Sequence, residues 1–301
     1  MTIKPPQVTR IYQNHHLDST RWDRFVPRED DVVVATPYKS GTTWMQLIVQ
    51  ALLWGGRPTT DIQAVSPWLD NRVRPVDDVI ASLETQTHRR SIKTHLPLDG
   101  LPFFPEVRYI VVGRDARDVF MSLWNHYSNY TPGSYSRLNR KPRIGNPLPE
   151  CPSSAREFWR DWISRGWFDW ETDGYPFWSN MRHVQTWWDY RHLPNILFVH
   201  FNDLLSDLPG EIARVAAFLD IEVPEDVLPD ILDSVAFATV KRSAENIWPG
   251  MEESFYGGAQ TFFHKGTNGR WKSVLTEADL ELYRAAVARE LSANCAKWLN
   301  C

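Results

Sequence analysis

Cysteine is nearly missing from this chain: Cys151, Cys295 and Cys301 are the only three in 301 residues. Three are too few for a disulfide framework, and no C-x-x-C pair offers a zinc site, so a reducing cytoplasm is the expected setting. No apolar run approaches the ~20 residues that span a bilayer. The start has no basic-then-apolar leader either, so no integral membrane segment is expected. Basic excess is lacking too: 33 Lys and Arg face 37 Asp and Glu, for a net charge of −4. That balance argues against nucleic acid as a partner. No cluster of His, Cys and acidic residues suggests a metal.

Apolar residues make up 43% of the chain, enough for a full core in one large α/β domain or two small ones. Fifteen Trp are many for this length and suit a flat-walled apolar pocket as well as a core. Patterning predicts buried strands at 32–35, 90–95, 107–112 and 195–201. Helices are predicted at 45–53, 76–87, 116–127, 153–163, 177–190, 208–219 and 225–235, and from Thr276 onward. Asp115, Ser153 or Ser154, and Thr276 are the expected caps, and Gly55-Gly56-Arg57-Pro58 ends the first helix. Residues 128–152 and 251–270 read as long loops, and 1–10 as a loose arm. Strands alternate with helices, without a repeat or a linker. The expectation is a single α/β domain over 1–301 with a central parallel sheet flanked by helices.

The stretch Thr36-Pro37-Tyr38-Lys39-Ser40-Gly41-Thr42-Thr43-Trp44 sits between the first strand and the first helix. Such a turn offers first-turn N–H groups, the helix dipole, a Lys charge and three hydroxyls to an anion. Its Lys precedes its Gly, so it does not fit the Walker spacing G-x-x-x-x-G-K-[ST]. An ordinary strand-to-helix turn with a solvated Lys fits these residues equally well.

Other candidates lie at strand ends, where open α/β sheets bind ligands. In Lys93-Thr94-His95, the imidazole is a candidate to take a proton from a hydroxyl while the neighbouring cation keeps it neutral, although a lone His is more often structural. Arg114 and Ser122 fall beside one helix start and suit a shared phosphate; Arg114 paired with Asp115 or Asp118 is the alternative. The segment 262–272, with His264-Lys265-Gly266, suits anion capture or a solvated basic loop.

Taken in order, the PYKSGTTW loop, the KTHLPL element at 93–98, the VVGRDARDVFMS block and the HKGTNGRWK segment resemble the cytosolic-type sulfotransferases. The matched blocks span 32 to about 276, nearly the whole chain. The resemblance implies a P-loop-like, nucleoside-kinase-like fold. It also implies transfer of a sulfuryl group from 3′-phosphoadenosine-5′-phosphosulfate (PAPS, product 3′,5′-ADP) to a hydroxyl, without a metal. By this resemblance Lys39 serves the 5′-phosphate and bridging oxygen, and Ser40, Gly41, Thr42 and Thr43 complete the loop. Trp44, Phe201 and Phe237 flank the adenine, and Arg114, Ser122, His264, Lys265 and Gly266 hold the 3′-phosphate. Lys93 stabilises the transferring group, and His95 is the general base.

By the same resemblance the acceptor is expected to be a small aromatic, sterol-like or lipid-linked molecule, with Tyr38, Phe103, Phe104, His126, Tyr127 and the aromatics of 158–178 as candidate walls. Departures from the family are Tyr38 directly before Lys39, Phe201 for a Tyr, Val235 for a Thr and His264 for an Arg. The segment 272–281 is similar to a dimerisation element, but Glu277 replaces its Val, so a homodimer by that route is doubtful. A P-loop kinase and a non-catalytic nucleotide sensor are the competing readings. The absent Walker spacing weighs against the first, and the intact Lys39, Lys93 and His95 against the second.

Overall fold

A computed structural model describes residues 4–56 and 61–300. Four strands, β1 (Val32–Ala35), β2 (Ser91–Thr94), β3 (Arg108–Gly113) and β4 (Ile196–His200), form one sheet in the order β2-β1-β3-β4. All neighbours are parallel, with Val34 opposite Lys93 on one side and Ile110 on the other. The near-continuous apolar runs of β1 and β3 follow from burial on both faces. The chain leaves β1 toward one side and returns to the other, so the crevice beyond the ends of β1 and β3 is the natural ligand position.

The helix α1 (Thr42–Trp54) follows β1 and ends at Gly55, whose φ of 64° carries the left-handed turn that glycine tolerates. Arg57 and Pro58, expected to complete that stop, lie outside the described residues. Asp115 caps the helix Ala116–Tyr127 by accepting from Arg117 N, and Ser154 caps Ala155–Ser164. Thr276 and Asp279 form a capping box at Glu277–Glu290. Trp22, Trp159, Trp162 and Trp187 are among the largest fully buried side chains. Their indole donors are satisfied by protein acceptors where burial demands it: Trp159 Nε1 donates to the Asp279 carbonyl at 3.1 Å and Trp187 Nε1 to that of Leu96 at 3.1 Å.

Several expectations need correction. Residues 128–152 are not loop throughout: Thr131 caps a helix at Pro132–Leu138, with Pro in its first turn. The stretch 251–270 contains a short helix at Gly258–Phe262. The helix expected from 177 begins at Asn180, because the Ser179 side chain caps it. β4 stops at His200, whose ring accepts from Asn202 N and opens the helix Phe201–Ser206. The described part of the N-terminal arm is pinned: Thr9 N and Arg10 N both donate to the Asp99 carbonyl at 2.8 and 3.0 Å.

β1 and β2 are joined at their entrances by a buried pair, Arg90 and Asp31, in a two-pronged contact. An Arg90→Leu change leaves Asp31 buried without its partner. Urea unfolding of that variant is expected to show a loss of about 3–5 kcal/mol.

Candidate active site

The turn after β1 is shaped by backbone conformations that favour glycine. Lys39 has φ 64° and Gly41 φ 108°. A Cβ on Gly41 would lie 2.9 Å from the Phe201 ring, so close approach and conformation both require glycine there. Thr42 opens α1, and its Oγ1 pairs with Thr36 Oγ1 at 2.5 Å. Ser40 is buried, and its Oγ has no hydrogen-bond partner in the protein. The first-turn N–H groups of α1 therefore sit among hydroxyls behind a single ammonium.

That ammonium is crowded. Lys39 Nζ stands 4.0 Å from the centroid of the Phe262 ring and 3.4 Å from His126 Nδ1. Burial lowers its pKa to about 7, helped by the nearby cations of Lys93 and Arg114. Lys93 extends from β2 with Nζ 4.5 Å from the Trp68 centroid and 5.6 Å from that of Trp248. Burial lowers it to about 8 against the opposing pull of Asp70.

His95 follows β2. Its Nδ1 lies 2.7 Å from the Thr36 carbonyl, which only accepts, so Nδ1 carries the proton and Nε2 keeps its lone pair. Nε2 is buried without a partner. Trp68 and Tyr38 stand edge-on to the ring at 4.7 and 5.1 Å. Burial first, then Lys93, holds the imidazole well below its ordinary range, so it is neutral at pH 7. A neutral ring with a bare nitrogen facing the cavity has a lone pair free to accept a proton.

Across the crevice, Arg114 lies over the Phe201 ring, 4.0 Å from its centroid. Its Nη2 and Nε donate to Asn268 Oδ1 at 2.7 and 3.0 Å. Of the carboxylates expected as alternatives, Asp115 pairs with Arg117, and Asp118 accepts from Gly269 N at 2.6 Å while its charge attracts the Arg114 guanidinium. Gly266 has φ 64°, and a Cβ there would meet the Phe237 ring at 2.8 Å. Trp44 Nε1 donates to the Val235 carbonyl at 3.0 Å, and its ring meets Phe201 edge-on at 5.5 Å.

These groups line one cavity of about 560 Å³. It brings together Tyr38, Lys39, Lys93, His95 and His126 with Gly41, Thr42, Thr43 and Trp44 from the turn. Arg114, Ser122, Phe201, Phe237, His264, Lys265 and Gly266 line it as well. Seven Lys and Arg face it, against the single carboxylate of Asp61.

Three expected site residues do not line the cavity. Ser40 is shielded beneath the turn. Phe103 stacks on Tyr109 of β3 at 5.2 Å. Tyr127 is fully buried against Phe158 and Phe177, with its hydroxyl bound to the Pro149 carbonyl. Phe104 and the aromatics of 158–178 are also absent from the lining. Sequence reasoning missed Trp68, Trp248, His16 and Tyr130 as lining groups, whereas Phe262 and Arg270 belong to the 262–272 segment expected to capture an anion. Among the described residues no group of three His, Cys, Asp or Glu is placed to hold a metal, and no helix is long and apolar enough to cross a membrane.

A parallel sheet with an anion turn after its first strand, and cations gathered where the strand order reverses, defines a P-loop-like α/β protein. The sulfotransferase domain family matches residues 29–294, and the chain belongs to that family and is a sulfotransferase. The glycolipid sulfotransferase of Mycobacterium tuberculosis is 34% identical over 295 residues, covering 93% of this chain and 90% of the relative. Sulfotransferase 1A1 of Rattus norvegicus is 28% identical over 276 residues, covering 89% and 87%. Among solved structures, mouse sulfotransferase SULT7A1 complexed with PAP superimposes with a TM-score of 0.69 at 20% identity, covering 93% of this chain and 92% of the other.

Proposed function

We propose that this sulfotransferase uses PAPS and sulfates a hydroxyl on the sugar of a glycolipid. The observation that carries the reading is the bare, neutral Nε2 of His95 facing the same cavity as the ammonium groups of Lys39 and Lys93. The residues present fit the cofactor. Unpartnered groups (His95 Nε2, Arg270 Nε) are buried at a cationic cavity flanked by the rings of Trp44, Phe201 and Phe237. Lys39, Thr42 and Thr43 would hold the 5′-phosphate, and Arg114, Ser122, His264, Lys265 and Gly266 the 3′-phosphate. Ser40, behind the turn, would support it rather than touch the ligand.

When bound, PAPS supplies an electrophilic sulfuryl group on a good leaving group. The chain's own work is positioning and charge neutralisation, by analogy with phosphoryl transfer. His95 Nε2 accepts the acceptor's proton while the Thr36 carbonyl holds Nδ1–H and the ring orientation. Lys39 and Lys93 place positive charge where negative charge grows. The acceptor side is supported as a sugar site by Tyr38 and Trp68 rings next to Asp61, Gln63, Asn71 and Arg74, which offer both stacking faces and polar groups. The similarity to glycolipid sulfotransferases points the same way.

Transfer of labelled sulfuryl from PAPS to a panel of glycolipids, sterols and phenols tests this. Glycolipids are expected to exceed the other classes in kcat/KM by about 10-fold or more. Preference for phenols or sterols would sink the acceptor class alone. Binding of 3′,5′-ADP without transfer, or phosphorylation from ATP, would sink the reaction.

A further inference from the structure

Behind Lys39 lies a set of side chains that the transfer reaction does not itself call for. Lys39 Nζ stands 3.4 Å from His126 Nδ1, and His126 Nε2 lies 2.8 Å from Tyr38 Oη and 3.1 Å from Tyr130 Oη. The two phenol oxygens are 3.4 Å apart. Tyr130 Oη is 3.4 Å from His16 Nε2, His16 Nδ1 meets His15 Nδ1, and His15 Nε2 lies 2.7 Å from the Pro176 carbonyl. All three imidazoles are buried.

The two ends of this chain can each play only one role. A carbonyl only accepts, so His15 carries its proton on Nε2 and accepts at Nδ1. His16 must then donate from Nδ1 and accept at Nε2, which requires the Tyr130 hydroxyl to donate to it. From the other end, below about pH 7 where Lys39 is protonated, an ammonium only donates, so His126 accepts at Nδ1 and donates from Nε2 toward the phenol oxygens. The Tyr38 hydroxyl is then free to donate to Tyr130. The two directions meet at the tyrosines without conflict, and each link has one donor.

We propose that His126 is a positioning residue for Lys39, its Nδ1 lone pair turned to the ammonium and its Nε2–H received by a Tyr38, Tyr130, His16 and His15 chain that ends on the Pro176 carbonyl. The proposal rests on the reading of Lys39 as the group beside the leaving oxygen. Lys93 and Arg114 repel the Lys39 ammonium, and the Phe262 face holds it from one side only. The His126 lone pair supplies the second hold. Lys39, His16, Lys93 and His95 face His126, and burial together with those neighbours keeps it neutral. Burial does the same for His15 and His16. The chain ends on a carbonyl in the interior, so it orients rather than exports a proton.

Long-range 1H–15N spectra of the free, 15N-histidine-labelled protein at about pH 6, where Lys39 is charged and the three imidazoles are neutral, read the tautomers without any turnover. Signals assigned by single His→Asn variants should show His126 and His15 as Nε2–H and His16 as Nδ1–H. A proton on His126 Nδ1 would overturn the proposal. Kinetics supply the second arm. His126→Phe removes the acceptor and is expected to lower kcat about 10–100-fold with the KM for PAPS within about threefold. The alkaline limb of kcat/KM should move to lower pH, because the ammonium loses a stabilising acceptor. His126→Asn, whose amide oxygen reaches the position of Nδ1, should return kcat to within about fivefold of wild type. A loss confined to the acceptor KM, with the alkaline limb unmoved, would make His126 a pocket wall and overturn the proposal. A wild-type rate for Lys39→Met would sink the functional reading of Lys39, while the tautomers still decide whether His126 holds it.

Discussion

Replacing His95 with Ala is expected to lower kcat by about 10²–10⁴-fold while 3′,5′-ADP binding stays within about threefold of wild type. The separation follows from where the ring stands. His95 faces the cavity with a bare Nε2, and its ring is anchored on the other side by the carbonyl and hydroxyl of Thr36 near Nδ1. No hydrogen bond joins it to Arg114 or to the 264–266 segment, on which the 3′-phosphate is proposed to rest. The pH dependence should agree. Burial and Lys93 keep the imidazole well below its ordinary range, so the acid limb of kcat/KM, which reports the free enzyme, should fall clearly below pH 6.5. A variant that folds, binds 3′,5′-ADP and turns over at the wild-type rate would remove His95 from the mechanism.

Lys39→Met is expected to cost about 10²–10³-fold in kcat, and it should also change a binding signature. With a pKa of about 7, Lys39 is largely neutral at pH 8 in the free protein, and Lys93, at about 8, is half charged. An arriving polyanion favours the charged forms, so 3′,5′-ADP binding should take up roughly one to one and a half protons at pH 8 and far fewer at pH 6, where both lysines are already charged. Calorimetry in phosphate and Tris buffers measures this directly. Lys39→Met should remove most of the uptake, and an unchanged uptake would show that Lys39 does not meet the anion.

The same depression acts on folding. Between about pH 7 and 10.5 the folded chain holds fewer protons on Lys39 than the unfolded chain does. Stability of the free protein from this group therefore rises with pH through that window, and its burial penalty is largest below pH 7.

What could be read from the sequence was what depends on neighbours along the chain. The apolar runs of β1 and β3, the caps at Asp115 and Thr276, and the turn around Lys39 all declare themselves within a few residues. Once the strands are parallel, Lys39, Lys93, His95 and Arg114 must gather at one edge, since each follows or ends a strand. The groups that tune them were hidden for the opposite reason. Trp68 and Trp248 reach Lys93, and Phe262 reaches Lys39, from remote parts of the chain, and an aromatic residue looks the same in sequence whether it faces a cation or a core. That ambiguity misplaced the partly buried Phe103 and the fully buried Tyr127, neither of which lines the cavity. The helix at Pro132–Leu138 was legible, because Thr131-Pro132 is a capping signal, but the surrounding Gly, Ser and Asn residues masked it.

The Arg114–Asn268 contact has a kinetic consequence under the proposed function. Both guanidinium donors already converge on one amide oxygen, as they would on a phosphate oxygen. Capture of the 3′-phosphate is then a substitution, in which an internal placeholder leaves as the ligand enters. Asp118 ties Gly269 beside that placeholder to the helix Ala116–Tyr127, so the incoming group competes with a tethered rival rather than with water alone. The association rate would then be governed by how often Asn268 lets go, and the same amide would return to Arg114 to help expel the product.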